Sequence, residues 1–257
     1  MRVIVQMASS LVIAFATYSR IPMPRVNWSE ENRRYSLCFF PLSGLVIGAV
    51  MAGWIWLCDV LGIGSMLRGC VGALIPLLIT GGIHMDGFMD TCDALASWQS
   101  KERRLEILKD SHVGAFAVIG CTGYLLLSAA VYGEMPVQAA PMLMGVFMIS
   151  RSLSALALAF FKSARPGGMM DGFARTAHRR IVSITAAVYA VLCAMLWAVC
   201  GKWIAVGCFA ATAACFAYYR HMAYKNFGGV TGDLAGWFVQ ITELALAVVI
   251  VLGGKIL

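Results

Sequence analysis

Apolar residues in this chain gather into runs long enough to cross a bilayer, at about 3–19, 36–58, 67–85, 114–132, 137–161, 181–200, 203–219 and 234–254. A segment needs about 20 such residues to traverse the hydrocarbon core as a helix, because lipid offers no partner to an exposed backbone amide or carbonyl. The sequence therefore predicts an all-α fold, a polytopic transmembrane helix bundle of about seven to eight spans. Composition agrees: 60% of residues are hydrophobic, 13% are charged and mean hydropathy is +0.79, more apolar surface than a water-soluble domain of 257 residues needs for its core. The spans use up the length, so one integral-membrane domain is expected over 1–257, with no separate soluble unit. The first run is the weakest span, since Gln6, Ser9, Ser10 and Thr17 interrupt it.

Charge sets the orientation. Arg20, Arg25, Arg33 and Arg34 fall in the first connection, Lys101, Arg103, Arg104 and Lys109 in the third, Lys162, Arg165, Arg175, Arg179 and Arg180 in the fifth, and Arg220 and Lys225 in the seventh. The other connections are nearly bare. Cytoplasmic loops carry the excess of Lys and Arg, so the odd loops are expected in the cytoplasm and both termini outside, in a cytoplasmic (inner) membrane. The net charge of +7 is parcelled among these loops, which predicts contact with membrane lipids and anionic substrates and no nucleic-acid partner. Nine cysteines are scattered without a CxxC pair, which excludes a zinc cluster and a disulfide framework and leaves them as small core residues.

The chemistry is concentrated after the third run, in His84-Met85-Asp86-Gly87-Phe88-Met89-Asp90-Thr91-Cys92-Asp93. Steps of four and three residues put Asp86, Asp90 and Asp93 on one stripe of a helix, where like charges repel by a few tenths of a kcal/mol per pair even in water. At a membrane edge such a stripe points to a divalent cation, Mg²⁺, and a phosphorylated substrate. Gly87 either opens the backbone to a phosphate or serves close helix packing. Arg103 and Arg104 offer guanidinium forks to phosphate oxygens, and Asp110 is a further carboxylate within short reach. Far along the chain, Gly228-Gly229-Val230-Thr231-Gly232-Asp233 has the character of a phosphate-cradling turn at a helix start, with Asp233 as helix cap or metal ligand. Arg165, in Ala164-Arg165-Pro166-Gly167-Gly168, is either a substrate contact or part of a helix terminator. Glu243 lies about 15 Å below Asp233 along a helix and is expected to pair with a polar group inside the bundle.

These motifs together resemble the cobalamin synthase family, the adenosylcobinamide-GDP ribazoletransferases. The resemblance runs nearly end to end: Arg20-Ile21-Pro22; Arg34-Tyr35 with Phe40-Pro41-Leu42-Ser43-Gly44; Gly81-Gly82-Ile83-His84-Met85-Asp86-Gly87 with Asp90 and Asp93; Arg103-Arg104-Leu105-Glu106-Ile107 with Lys109-Asp110-Ser111; Arg165-Pro166 with Gly168; and Gly229 with Thr231-Gly232-Asp233. Ala94, His112 and Ala117 depart from the residues common there, and none of them removes a carboxylate. The resemblance implies a Mg²⁺-dependent membrane phosphotransferase. A ribose hydroxyl of α-ribazole, or of its 5′-phosphate, attacks the corrinoid-side phosphate of adenosylcobinamide-GDP, GMP leaves, and adenosylcobalamin or its 5′-phosphate is formed late in cobalamin biosynthesis.

On that basis Asp86 and Asp90 are assigned to metal, and Asp93 to metal or to base catalysis. Asp110 and His84 are further catalytic candidates. Arg103, Arg104, Lys109, Arg165, Gly87, Thr231 and Asp233 are assigned to the substrate. The corrinoid nucleotide and α-ribazole are the expected partners, with a homo-oligomer left open. Two other functions fit parts of the pattern. A CDP-alcohol-type phosphotransferase also has co-facial aspartates after a DG pair, but Phe88-Met89 stand where its Ala-Arg pair would be. A cation transporter would use intramembrane acids, of which only Glu243 lies well within a run.

Overall fold

A computed structural model describes residues 2–256. The chain forms α1 (Arg2–Tyr18), α2 (Glu30–Arg33), α3 (Ser36–Leu61), α4 (Ser65–Thr80), α5 (Ile83–Ala96), α6 (Lys101–Ile107), α7 (Ala115–Gly133), α8 (Met142–Phe160), α9 (Met169–Thr176), α10 (Arg179–Phe227) and α11 (Gly232–Ile256). Among the described residues the only β pairing is an isolated bridge between Ser163 and Val230. Five helices, α3, α7, α8, α10 and α11, are individually long and apolar enough to cross a membrane, and α4 with α5 forms a sixth candidate bent by 100°. One more pass arises inside α10. At Gly201 the backbone is extended, and the helix folds back on itself there: Trp197 meets Phe209 across the reversal with ring centroids 5.2 Å apart. At the other end Arg179 lies over the Phe160 ring while Phe161 packs on Phe216. The bundle is thus compatible with the seven to eight spans expected.

The interior follows from the pairing α3 with α8, α4 with α7, α5 with α11, and α10 with both α8 and α11. Fully buried Trp197 donates from Nε1 to the Met142 carbonyl at 3.0 Å, so the largest core side chain also satisfies its polar atom. The third apolar run does not continue as one helix. Gly81 and Gly82 stand in the left-handed region, φ 67° and 82°, which side chains rarely adopt, and this pair ends α4 and swings α5 away. The Arg20 amide donates to Ile79 O at 2.7 Å and secures the bend.

The basic connections meet at one end. The His178 amide donates to Arg34 O at 3.2 Å, Arg104 bonds Asn226, and the Val230 amide donates to Lys162 O at 2.8 Å, so the first and fifth, third and seventh, and fifth and seventh connections are joined. At the opposite end Lys255 pairs with Glu134 at 2.8 Å and Arg68 bonds the Gly133 carbonyl. The first apolar run stands apart from the rest. Ser10 donates to Asn32 O at 2.5 Å and Tyr18 stacks on Phe40 at 3.9 Å, so α1 is held to the basic end at both points, and its apolar stretch, Ile4–Tyr18, is shorter than the spanning helices.

Candidate active site

The site forms where α5 crosses the start of α11. Gly87 and Gly236 allow the crossing: a Cβ on Gly87 would stand 2.7 Å from the Asp233 carbonyl oxygen, and one on Gly236 would stand 3.0 Å from that of His84. Gly87 therefore serves helix packing, one of the two roles its sequence context allowed. The approach sets Asp233 beside Asp86, with which it lines one cavity; Asp90 and Asp93 do not line it.

The turn before α11 explains how Asp233 is left available. Thr231 Oγ1 accepts from the Leu234 amide at 3.2 Å and so supplies the helix cap. Asp233 is not needed for that cap; its Oδ2 accepts from Thr231 Oγ1 at 3.4 Å and stands 3.9 Å from Arg165 Nη1. Arg165 is carried there by the backbone pairing of the fifth and seventh connections, in which the Ala164 amide donates to Val230 O at 2.9 Å. Gly229 is required at that contact, because a Cβ would fall 2.8 Å from the Ala164 nitrogen. Two segments more than sixty residues apart in sequence thus place an arginine beside a carboxylate.

Asp86, Arg165, Thr231 and Asp233 line the mouth of a cavity of about 300 Å³, and His84 lies on its wall. That is the lower end of the usual range for a small-molecule site. Asp171, also at this cavity, is used locally, accepting from the Gly167 amide and from Arg175 Nε, both at 2.8 Å, which closes the loop carrying Arg165.

The other expected site residues go elsewhere. Asp93 receives the Gly114 amide at 2.7 Å on Oδ2 and the Ala117 amide at 2.8 Å on Oδ1, and so caps α7 from a neighbouring helix. Arg104 bonds Asn226, and Arg103 pairs with Glu106 at 2.6 Å on an exposed face of α6. Lys109 and Asp110 are exposed beyond α6, and none of these four lines the cavity. The amide and ring of His112 bond the Asp110 carboxylate and hold it below the ordinary carboxylate range, which makes it a poor proton acceptor.

Among the described residues no three His, Cys, Asp or Glu side chains converge as a ready metal cage. The donor chemistry nonetheless suits Mg²⁺, a hard cation usually held by one or two carboxylates plus substrate phosphates and waters. Asp86 and Asp90, one turn apart on the same face, provide such a pair.

Reading the motifs passed over Arg151. It lies inside the fifth apolar run, 1% exposed, and forms an ion pair with Glu243. Glu243 also accepts from Ser150 Oγ at 2.9 Å, so the polar partner expected for it is found on α8.

Comparison with known proteins converges on one group. The family profile described as Cobalamin-5-phosphate synthase matches residues 10–251. An adenosylcobinamide-GDP ribazoletransferase of Lachnoclostridium phytofermentans is 43% identical, covering 95% of each chain. One from Clostridium botulinum is 30% identical over 91% of this chain and 93% of its own. One from Escherichia coli O45:K1 is 29% identical over 91% and 94%. No solved structure matches. With a matching profile that spans nearly the whole sequence, and with Asp86, Asp233 and Arg165 gathered at one cavity, the chain belongs to the cobalamin-5-phosphate synthase family.

Proposed function

We propose that this protein joins adenosylcobinamide-GDP to α-ribazole or its 5′-phosphate, releasing GMP, at the basic and therefore cytoplasmic end of the bundle. The observation that carries the assignment of the site is the placement of Asp86, Asp233 and Arg165 around one cavity mouth, in a chain of this family.

In the reaction the nucleoside hydroxyl oxygen forms a bond to the corrinoid-side phosphorus, and the bond from that phosphorus to the bridging oxygen breaks. GMP departs with the bridging oxygen, and the hydroxyl proton passes to a base. Arg165 is the cation placed to hold the pyrophosphate oxygens. Asp233, 3.9 Å from that guanidinium, is the carboxylate positioned to take the proton once a phosphate engages Arg165. Asp86 and Asp90 would hold Mg²⁺, which when bound neutralises charge on the pyrophosphate and on the leaving phosphate. Asp93 positions α7 beside the stripe through its two amide contacts.

The test is direct. Purified protein in detergent, given adenosylcobinamide-GDP, α-ribazole and Mg²⁺, is expected to release GMP and form adenosylcobalamin in equal amounts. Intact nucleotide after prolonged incubation with well-folded protein would refute the assignment.

A further inference from the structure

The amphipathic pattern of α1 is inverted relative to that of a helix in water. Gln6, Ser10 and Thr17 share one face with Ile13 and Ala14, and that face packs on the protein. Ser10 is fully buried there, donating to Asn32 O at 2.5 Å and accepting from the Tyr35 amide at 3.3 Å. The opposite face consists of Ile4, Ala8, Leu11, Val12 and Phe15, with Val5 and Met7 at its edges. Ile4, Val5 and Met7 are 72%, 59% and 43% exposed. A surface helix in water shows the reverse arrangement. Length and attachment both argue against a span. Ile4–Tyr18 measures about 22 Å at about 1.5 Å per residue, short of the about 30 Å of a hydrocarbon core. Tyr18 stacks on Phe40, about one turn inside α3, and the Arg20 amide is fixed to Ile79 O. From Tyr18 back to Ser10 the chain therefore moves toward Tyr35, just ahead of α3, and its continuation to Ile4 leads away from the opposite end of the bundle.

We infer that α1 does not cross the bilayer but lies in the headgroup boundary at the cavity end, its apolar face on acyl chains and its polar face on the protein. Lipid is the occupant that the surroundings supply. α1 packs on α3, a helix long enough to span, whose Leu45, Val50 and Leu57 are exposed, so the outer face of α1 continues a surface that already meets acyl chains. Interfacial helices sink such a face about 5–10 Å below the headgroups. Seven passes then remain: α3, α4 with α5, α7, α8, the two halves of α10, and α11. An odd number puts α1 and the end of α11 on opposite sides of the membrane, whereas loop charge alone predicted both outside. The placement also sets the depth of the site. Tyr18, the last residue of α1, is among the residues lining the cavity, so the cavity sits at headgroup level, within reach of both water and the bilayer surface. None of this depends on the reaction proposed above.

The experiment measures depth along α1. Ile4→Cys, Ala8→Cys, Val12→Cys and Phe15→Cys are made singly in full-length protein whose native cysteines are replaced, spin-labelled, and reconstituted in nanodiscs of phosphatidylcholine and phosphatidylglycerol. Collision with oxygen and with a water-soluble nickel chelate gives the depth of each label. Four positions serve in parallel, so one misfolded variant leaves the profile readable. All are expected within about 10 Å of the phosphates, with Ile4 no deeper than Phe15. A crossing helix would carry its middle labels, at Ala8 or Val12, about 15 Å deep with shallower values toward both ends, and that profile would overturn the inference. Strong nickel and weak oxygen collision at all positions would put α1 in water, and protection from both probes would put a second protein surface on it; either result overturns it. In sealed membrane vesicles of one orientation, with the chelate outside only, the Ile4 label is expected to respond as one at Ser100 does and unlike one at Glu134, whichever way the protein inserts. Grouping of Ile4 with Glu134 would restore the span.

Discussion

Gly87 on α5 lies directly against the backbone of Asp233 on α11: a Cβ at position 87 would be 2.7 Å from the Asp233 carbonyl oxygen and 2.8 Å from its Cα. The absence of one side chain therefore fixes the register between the aspartate stripe and the turn carrying Thr231. Backbone cannot yield as a flexible side chain would. Gly87→Ala is expected to cost about 1–3 kcal/mol, the usual range for overpacking a close contact, by forcing the two helices apart. Because the same shift separates Asp86 from Asp233, turnover should fall much further than stability. Thermal unfolding in detergent alongside GMP release checks this, and a Gly87→Ala protein with a normal rate would show that the spacing is not needed for the reaction.

The three aspartates of the stripe should behave differently when each is changed to Asn. Among the described residues no hydrogen bond or ion pair uses the Asp86 or Asp90 carboxylate, so Asp86→Asn and Asp90→Asn are expected to insert and fold normally while losing turnover, without full rescue by added Mg²⁺. Asp93 accepts two amides at the start of α7. Asp93→Asn turns an NH₂ group toward one of those amides and should lose about 1 kcal/mol of stability, as removal of a helix cap does. Wild-type activity in excess chelator, or an Asp90→Asn enzyme at near-normal rate, would remove Mg²⁺ from the account.

Much of this fold is legible in the sequence because bilayer thickness imposes a length on every span. The expected runs 36–58, 114–132 and 234–254 correspond to α3, α7 and α11 with ends moved by only a few residues. The run at 67–85 hid a break, since hydropathy does not register that Gly81 and Gly82 take positive φ and turn the chain by 100°. The stripe was readable from its spacing, but the role of each member was not. Asp93 is set apart by amides 21 and 24 residues away, and Asp233 is left available because Thr231 supplies the cap. Arg151 escaped notice because one cation in an apolar run does not reveal the carboxylate, 92 residues on, that makes its burial tolerable. Arg103 and Arg104 illustrate the converse error: residues close to the stripe in sequence turn to Glu106 and Asn226, while Arg165, much farther along, reaches the cavity.

The hydrogen bonds among the odd connections give a topology that labelling can test. Cysteines introduced at Glu30, Ser100 and Lys225 belong to the end that carries the aspartates. They are expected to be shielded from an impermeant thiol reagent in intact cells and to react once the membrane is opened. A cysteine at Glu134, beside Lys255 at the other end, should react from outside. The nine native cysteines are all free thiols, so they must first be replaced or their background measured. Labelling of Ser100→Cys in intact cells would reverse the orientation and place the cavity outside.

Thr231 and Asp233, two residues apart, separate stability from chemistry. Thr231 Oγ1 caps α11 through the Leu234 amide, whereas the Asp233 carboxylate faces Arg165 at the cavity mouth. Asn caps a helix about as well as Asp, so Asp233→Asn would keep activity if Asp233 were only a cap. With the cap supplied by Thr231, Asp233→Asn is expected to leave the melting temperature unchanged and to lower GMP release by two or more orders of magnitude, about what loss of a general base costs. Thr231→Val keeps the volume but removes the cap oxygen, and should lower stability by about 1 kcal/mol; it also removes the 3.4 Å hydrogen bond from Thr231 Oγ1 to Asp233 Oδ2, while Arg165 still faces the carboxylate. Activity of Thr231→Val should therefore persist at temperatures where it remains folded. Should Asp233→Asn instead melt lower while retaining its rate, Asp233 would belong to the scaffold, and proton transfer would have to be assigned to Asp86 or Asp90.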